Sequence, residues 1–147
     1  MLKRRSSSSW RPSSRFAPTL RAAYRRPTGL VGHLRPTAEG VARAVSVLRE
    51  GALRFQGRVL STGDFLATWA VELTVHHFDL GLELEIDSPA PAGIRLARAT
   101  VESLAGERLP ARWSDETAVL IGTGRMQLDD RLAQQAGAVA ARLPVLG

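Results

Sequence analysis

From Thr37 onward, apolar residues return every three or four positions between short breaker clusters, and this rhythm limits the fold more tightly than any residue count. In TAEGVARAVSVLREGALRF the set Val41, Ala44, Val45, Leu48, Ala52 and Phe55 shares one side of a helical wheel, with Arg43, Arg49, Glu50 and Arg54 largely elsewhere. The spacing predicts an amphipathic helix that Thr37 caps and that Gly51 weakens near its end. The link GRVL leads to Ser61-Thr62-Gly63-Asp64, a hydroxyl cap with an acid three residues later, which starts a second helix running from about Gly63 to Leu84. Asp87-Ser88-Pro89-Ala90-Pro91 breaks the chain before a third helix, Ala92 to Ala105. That helix turns Ile94, Leu96, Ala97, Val101 and Leu104 inward and Arg95, Arg98 and Glu102 outward. After the cap-like Ser114-Asp115-Glu116, the run TAVLIGTG reads equally as a short helix or a strand. A last helix is expected from Leu128 to Leu143, with Asp129 and Asp130 at its positive end, Arg142 at its negative end and Pro144 as its stop.

The chain of 147 residues, 44% of them hydrophobic, suffices for one core rather than two ordinary domains. Its net charge of +6 is unevenly placed. Residues 1 to 36 carry nine Lys and Arg with no acid, while the remaining eleven Arg against fourteen acids leave the rest at −3. This Ser-, Arg- and Pro-rich head reads as disordered, and residues 37 to 147 as the folded domain. The head is open to several readings: a solvated tail, a basic arm for nucleic-acid phosphates or an anionic membrane, a transit peptide, or a leader foreign to the domain. An aromatic content of 5% argues against a base-stacking platform, so nucleic acid is the weaker option. Charges interrupt every apolar run, so the chain reads as a soluble, cytoplasmic protein without a membrane span.

There is no cysteine, so disulfides, thiolate metal clusters and a protein-borne thiol nucleophile are excluded, and a metal would need His and carboxylate ligands. In WAVELTVHHFDL, Glu72 and His76 stand four residues apart, one turn above each other on a helix, where they can converge on one divalent ion such as zinc. Asp79 shares an adjoining part of that face and can orient a ligand from behind. The same spacing also suits a plain Glu–His pair. Among Trp69, Leu73, Val75 and Leu80, however, a buried carboxylate would require a partner. His77 points about 100° away and reads as a boundary residue.

The run WAVELTVHHFDL, the Pro-rich break after it and the tail GTGRMQLDDRLAQQAGAVAARLPVLG resemble the actinobacterial proteins carrying the maleylpyruvate isomerase N-terminal domain, mycothiol-dependent metalloproteins of the DinB/YfiT-like superfamily. The resemblance spans roughly Thr37 to Gly147. It implies an all-α, DinB/YfiT-like helical bundle holding a divalent metal, usually zinc, through one early His and the Glu and His of the E-x-x-x-H helix. Glu72 and His76 match the latter two ligands, Asp79 matches the acid that follows, and His33 in GLVGHL has the local look of the early histidine. The implied chemistry is that of a low-molecular-weight thiol, mycothiol, activated at the metal for isomerisation or thiol transfer on a small-molecule substrate. His33 precedes His76 by only 43 residues, much less than in the family, so the bundle is expected to lack much of its N-terminal part. Such a bundle leaves apolar helix faces open and invites a homodimer. The competing expectation is a non-catalytic helical remnant in which Glu72 and His76 form only a structural pair.

Overall fold

The computed structural model describes residues 27–146, which fall into two compact units divided between Arg49 and Glu50. Residues 1–26, and with them most of the basic head and its expected disorder, lie outside the described residues. The fold is mostly helical, in keeping with the expected all-α class, and carries one two-stranded hairpin. Among the described residues no helix is long and apolar enough to cross a membrane.

The first unit contains α1 (Pro27–Val47), so residues 27–36, assigned above to a disordered head, are helical. Leu30 and Leu34 precede Val41 and Val45 by eleven residues, about three turns, and extend the same apolar stripe toward the N-terminus. Pro27 suits the first helical position, where an amide proton would be unpaired anyway. Pro36 sits inside the helix and cannot donate to the carbonyl one turn back. Thr37, expected as the cap, is therefore an interior residue, and its hydroxyl donates to the His33 carbonyl at 2.7 Å. The helix also stops at Val47, well short of the expected Phe55.

In the second unit the supposed end of that helix is a hairpin of β1 (Ala52–Phe55) and β2 (Arg58–Ser61), antiparallel, with Ala52 opposite Ser61 and Phe55 opposite Arg58. The turn is Gln56-Gly57, with φ of 48° and 80°. Two successive positive φ values give the two-residue turn whose twist matches paired strands, and Gly57 makes it accessible. Ala52 and Phe55, three residues apart, fit the helical stripe, whereas in the strand it is Leu53 and Phe55 that share the half-buried face. Phe55 instead packs edge-on against Phe65 and Trp69, at centroid distances of 5.2 and 6.3 Å, which seats the hairpin on the next helix.

That helix, α2 (Thr62–Gly81), starts as predicted: Ser61 accepts from the Asp64 amide and donates its hydroxyl to the Asp64 carboxylate at 2.7 Å. Its inward face is Val71, Thr74 and Val75, and the two valines pack with Ile94, Ala97 and Val119. Next, α3 (Pro91–Ala105) buries Ile94, Ala97, Val101 and Ala105, whereas Leu104 faces solvent against expectation. Arg98, expected outward, is only 16% exposed in its side chain. It donates to Glu102, Asp115 and the carbonyls of Leu109, Pro110 and Trp113, and so holds the α3–α4 connection. The undecided run after Ser114 is a helix, α4 (Asp115–Gly122), capped by Ser114 on the Thr117 amide. The cap and the two acids of its first turn outweigh the β-branched composition.

The expected last helix is split into α5 (Asp130–Ala136), capped by Asp129, and a 3-10 turn over Gly137–Arg142 that buries Val139. Leu132 and Val139 join Val101, Ala105, Leu109, Trp113, Ala118 and Ile121 in the main core. Where α3 and α4 cross, Gly122 lies against Val101 so closely that an added Cβ would collide with both Val101 methyls. The amides of Val145 and Leu146 then donate to the Gly122 carbonyl, tying the chain's end to the same spot.

Gly122→Ala is therefore expected to overpack the crossing and destabilise the protein by about 1–3 kcal/mol. Urea unfolding against Gly81→Ala, where only the Ile86 side chain lies within van der Waals range of an added Cβ, checks this.

Candidate functional site

The capped helix α2 carries Glu72, His76 and Asp79 on one exposed face beside Trp69, Leu73 and Leu80. His76 Nε2 lies 3.7 Å from a Glu72 carboxylate oxygen, and His76 Nδ1 lies 3.3 Å from Asp79 Oδ2. The side chains of His76 and Glu72 are 67% and 60% exposed, so the burial that was expected to demand a partner for Glu72 does not arise. The carboxylate is open to solvent, and the pair is brought together by helical spacing.

Asp79 is held from outside the helix. Arg125 Nε donates to Asp79 Oδ1 at 2.6 Å and an Arg125 terminal nitrogen donates to Oδ2 at 2.8 Å, a two-pronged ion pair across 46 residues. The other terminal nitrogen donates to the Thr123 carbonyl at 3.0 Å. The end of α4 places this arginine. Gly124, at φ 70°, takes the left-handed conformation that terminates a helix, and its amide bonds the Ile121 carbonyl while the Arg125 amide bonds the Leu120 carbonyl. Arg125 lies in the GTGRM run of the tail, where no local periodicity marks it as a site residue. A Gly followed by Arg at a helix end, with no Lys or Arg within a turn of Asp79 on its own helix, was the available signal.

The Arg125 hydrogen bonds hold the Asp79 carboxyl below the usual carboxylate range; partial burial opposes this and the His76 contact adds to it. Arg125 is in turn pushed further up by Asp79. His77, as expected, is a boundary residue, and its Nε2–H donates to the Asp87 carbonyl at 2.8 Å. It borders an open cleft of about 200 Å³ with Leu82, Asp87, Glu116 and Leu120, away from Glu72 and His76.

Of the residues singled out as ligands, Glu72 and His76 come together with Asp79 behind them, while His33 belongs to α1 in the other unit. The donor set of one carboxylate oxygen and one imidazole nitrogen suits two positions of a zinc shell. Among the described residues no three His, Asp or Glu side chains are grouped to hold an ion.

The lowered Asp79 titration fixes a pH dependence. The stabilisation from the ionised pair is complete above the unfolded-state carboxylate pKa and fades as pH falls through the lower folded-state value. Asp79→Asn should thus melt below wild type at neutral pH, by an amount corresponding to roughly 1 kcal/mol or less for so exposed a pair. The gap should close only in acid, below the ordinary carboxylate range, as followed by circular dichroism.

No family model matches the chain, and neither a characterised protein nor a solved structure does.

Proposed function

We propose that the chain is a divalent-metal-binding helical domain of DinB-like fold, related to mycothiol-dependent maleylpyruvate isomerase, with zinc as the metal and a cytoplasmic setting. Glu72 and His76 are its ligands, and His33 is assigned the early-histidine position. The observation that carries the reading is the convergence of Glu72 and His76 at 3.7 Å with His76 Nδ1 already taken up by Asp79. A metal-binding imidazole is normally held in this way, one nitrogen on a carboxylate and the other free to ligate.

Bound zinc would supply a Lewis acid that lowers the pKa of a low-molecular-weight thiol such as mycothiol, for isomerisation or thiol transfer. The chain's own residues supply the rest. Glu72 offers charge to the ion, His76 offers a neutral nitrogen oriented by Asp79, and the open face beside them admits thiol and small-molecule substrate. Trp69, Leu73 and Leu80 give that face apolar surface against which a substrate or a second copy of the chain can exclude water.

A second reading is favoured by a specific observation: among the described residues the third ligand is not grouped with Glu72 and His76, both of which are well exposed. On that reading the domain is a non-catalytic remnant and the pair is structural.

Mass-spectrometric metal analysis of the purified chain separates the two. The metal reading expects about one zinc per chain, in line with a three-ligand protein site, lost in Glu72→Ala, His76→Ala and His33→Ala. Zinc retained in His33→Ala alone moves the third position to water or another subunit. Wild type without stoichiometric metal leaves the remnant reading.

A further inference from the structure

We propose that Arg125 is a positioning residue that, through Asp79, sets the tautomer and orientation of His76. The inference rests on the metal reading only for its consequence; the positioning stands on geometry. Asp79 Oδ2 lies 3.3 Å from His76 Nδ1, and a carboxylate accepts, so the imidazole proton belongs on Nδ1 and the lone pair on Nε2, the nitrogen nearer Glu72. A neutral histidine exposed to water favours the opposite tautomer, with the proton on Nε2. His76 is 67% exposed, so its tautomer depends on how firmly the Asp79 carboxylate is oriented.

Asp79 sits near the end of α2 and could rotate freely about its own side-chain bonds. Arg125 removes that freedom by engaging both carboxylate oxygens with a planar fork. The arginine is itself pinned twice, by its bond to the Thr123 carbonyl and by its amide in the terminal turn of α4. Its side chain is 25% exposed, against 67% for His76, so order passes from the better-held end of this line to the freer one. A lysine at this position would supply charge at a single point and would leave the carboxylate plane undefined.

The test is long-range proton–nitrogen NMR of His76 in the metal-free full-length chain, at a pH where the imidazole is neutral. It compares wild type with Arg125→Ala, Arg125→Lys and Asp79→Ala, with circular dichroism to show that each remains folded. Wild type is expected to hold the proton mainly on Nδ1. Arg125→Ala and Asp79→Ala should both move it toward Nε2, and Arg125→Lys should move it part of the way. Zinc affinity measured on the same proteins should fall roughly tenfold or more in the two alanine variants. A wild-type His76 protonated mainly on Nε2, or folded Arg125 variants with an unchanged tautomer, would overturn the proposal. If wild type takes up no zinc while the tautomer shifts as expected, the positioning role is upheld and the metal reading alone falls.

Discussion

Arg125 reaches across 46 residues of chain to hold both carboxylate oxygens of Asp79, and the polar face of α2 is organised around that contact. The contact exists because α4 ends where it does. Gly122 allows α4 to cross α3 against Val101, Gly124 closes the helix in a left-handed turn, and the next residue is Arg125. A close crossing in the core is thereby converted into a defined position for a guanidinium at the surface. From there the order passes along α2 to His76.

The magnitudes separate what holds the fold from what shapes the site. Core residues such as Ile121 and Val101 are fully buried, and truncating side chains of that kind typically costs about 2–5 kcal/mol. Arg98, with five hydrogen-bonded partners beneath the α3–α4 connection, belongs to the same scaffold. The Asp79–Arg125 pair is partly exposed, and such pairs contribute at most about 1 kcal/mol. Its importance is geometric: it restricts a carboxylate that a neighbouring imidazole must meet.

Much of the fold was legible because its signals are local. The Ser61 and Ser114 caps, the Pro-rich break and the apolar face of α3 each act within a few residues, and the helices formed as read, or where the sequence had left a choice. The hairpin was missed because Ala52 and Phe55 continue the helical stripe while Leu53 and Phe55 alternate as a strand does, and the Gln56-Gly57 turn decides between them. The early start of α1 was missed because the Ser-, Arg- and Pro-rich composition of residues 1 to 36 reads as disorder, whereas Leu30 and Leu34 continue the stripe. At the site, Glu72, His76 and Asp79 could be read from helical spacing. The exposure of Glu72, the inward turn of Arg98 and the reach of Arg125 depend on which helices pack together, and no local pattern encodes that.

The most direct test of the account is a crystal structure of the zinc-soaked protein with anomalous diffraction data collected across the zinc absorption edge. The account predicts an anomalous peak bridging His76 Nε2 and the Glu72 carboxylate, with His76 Nδ1 still on Asp79 and Asp79 still held by Arg125. A peak coordinated through His76 Nδ1, or the absence of any peak at this pair, would contradict it.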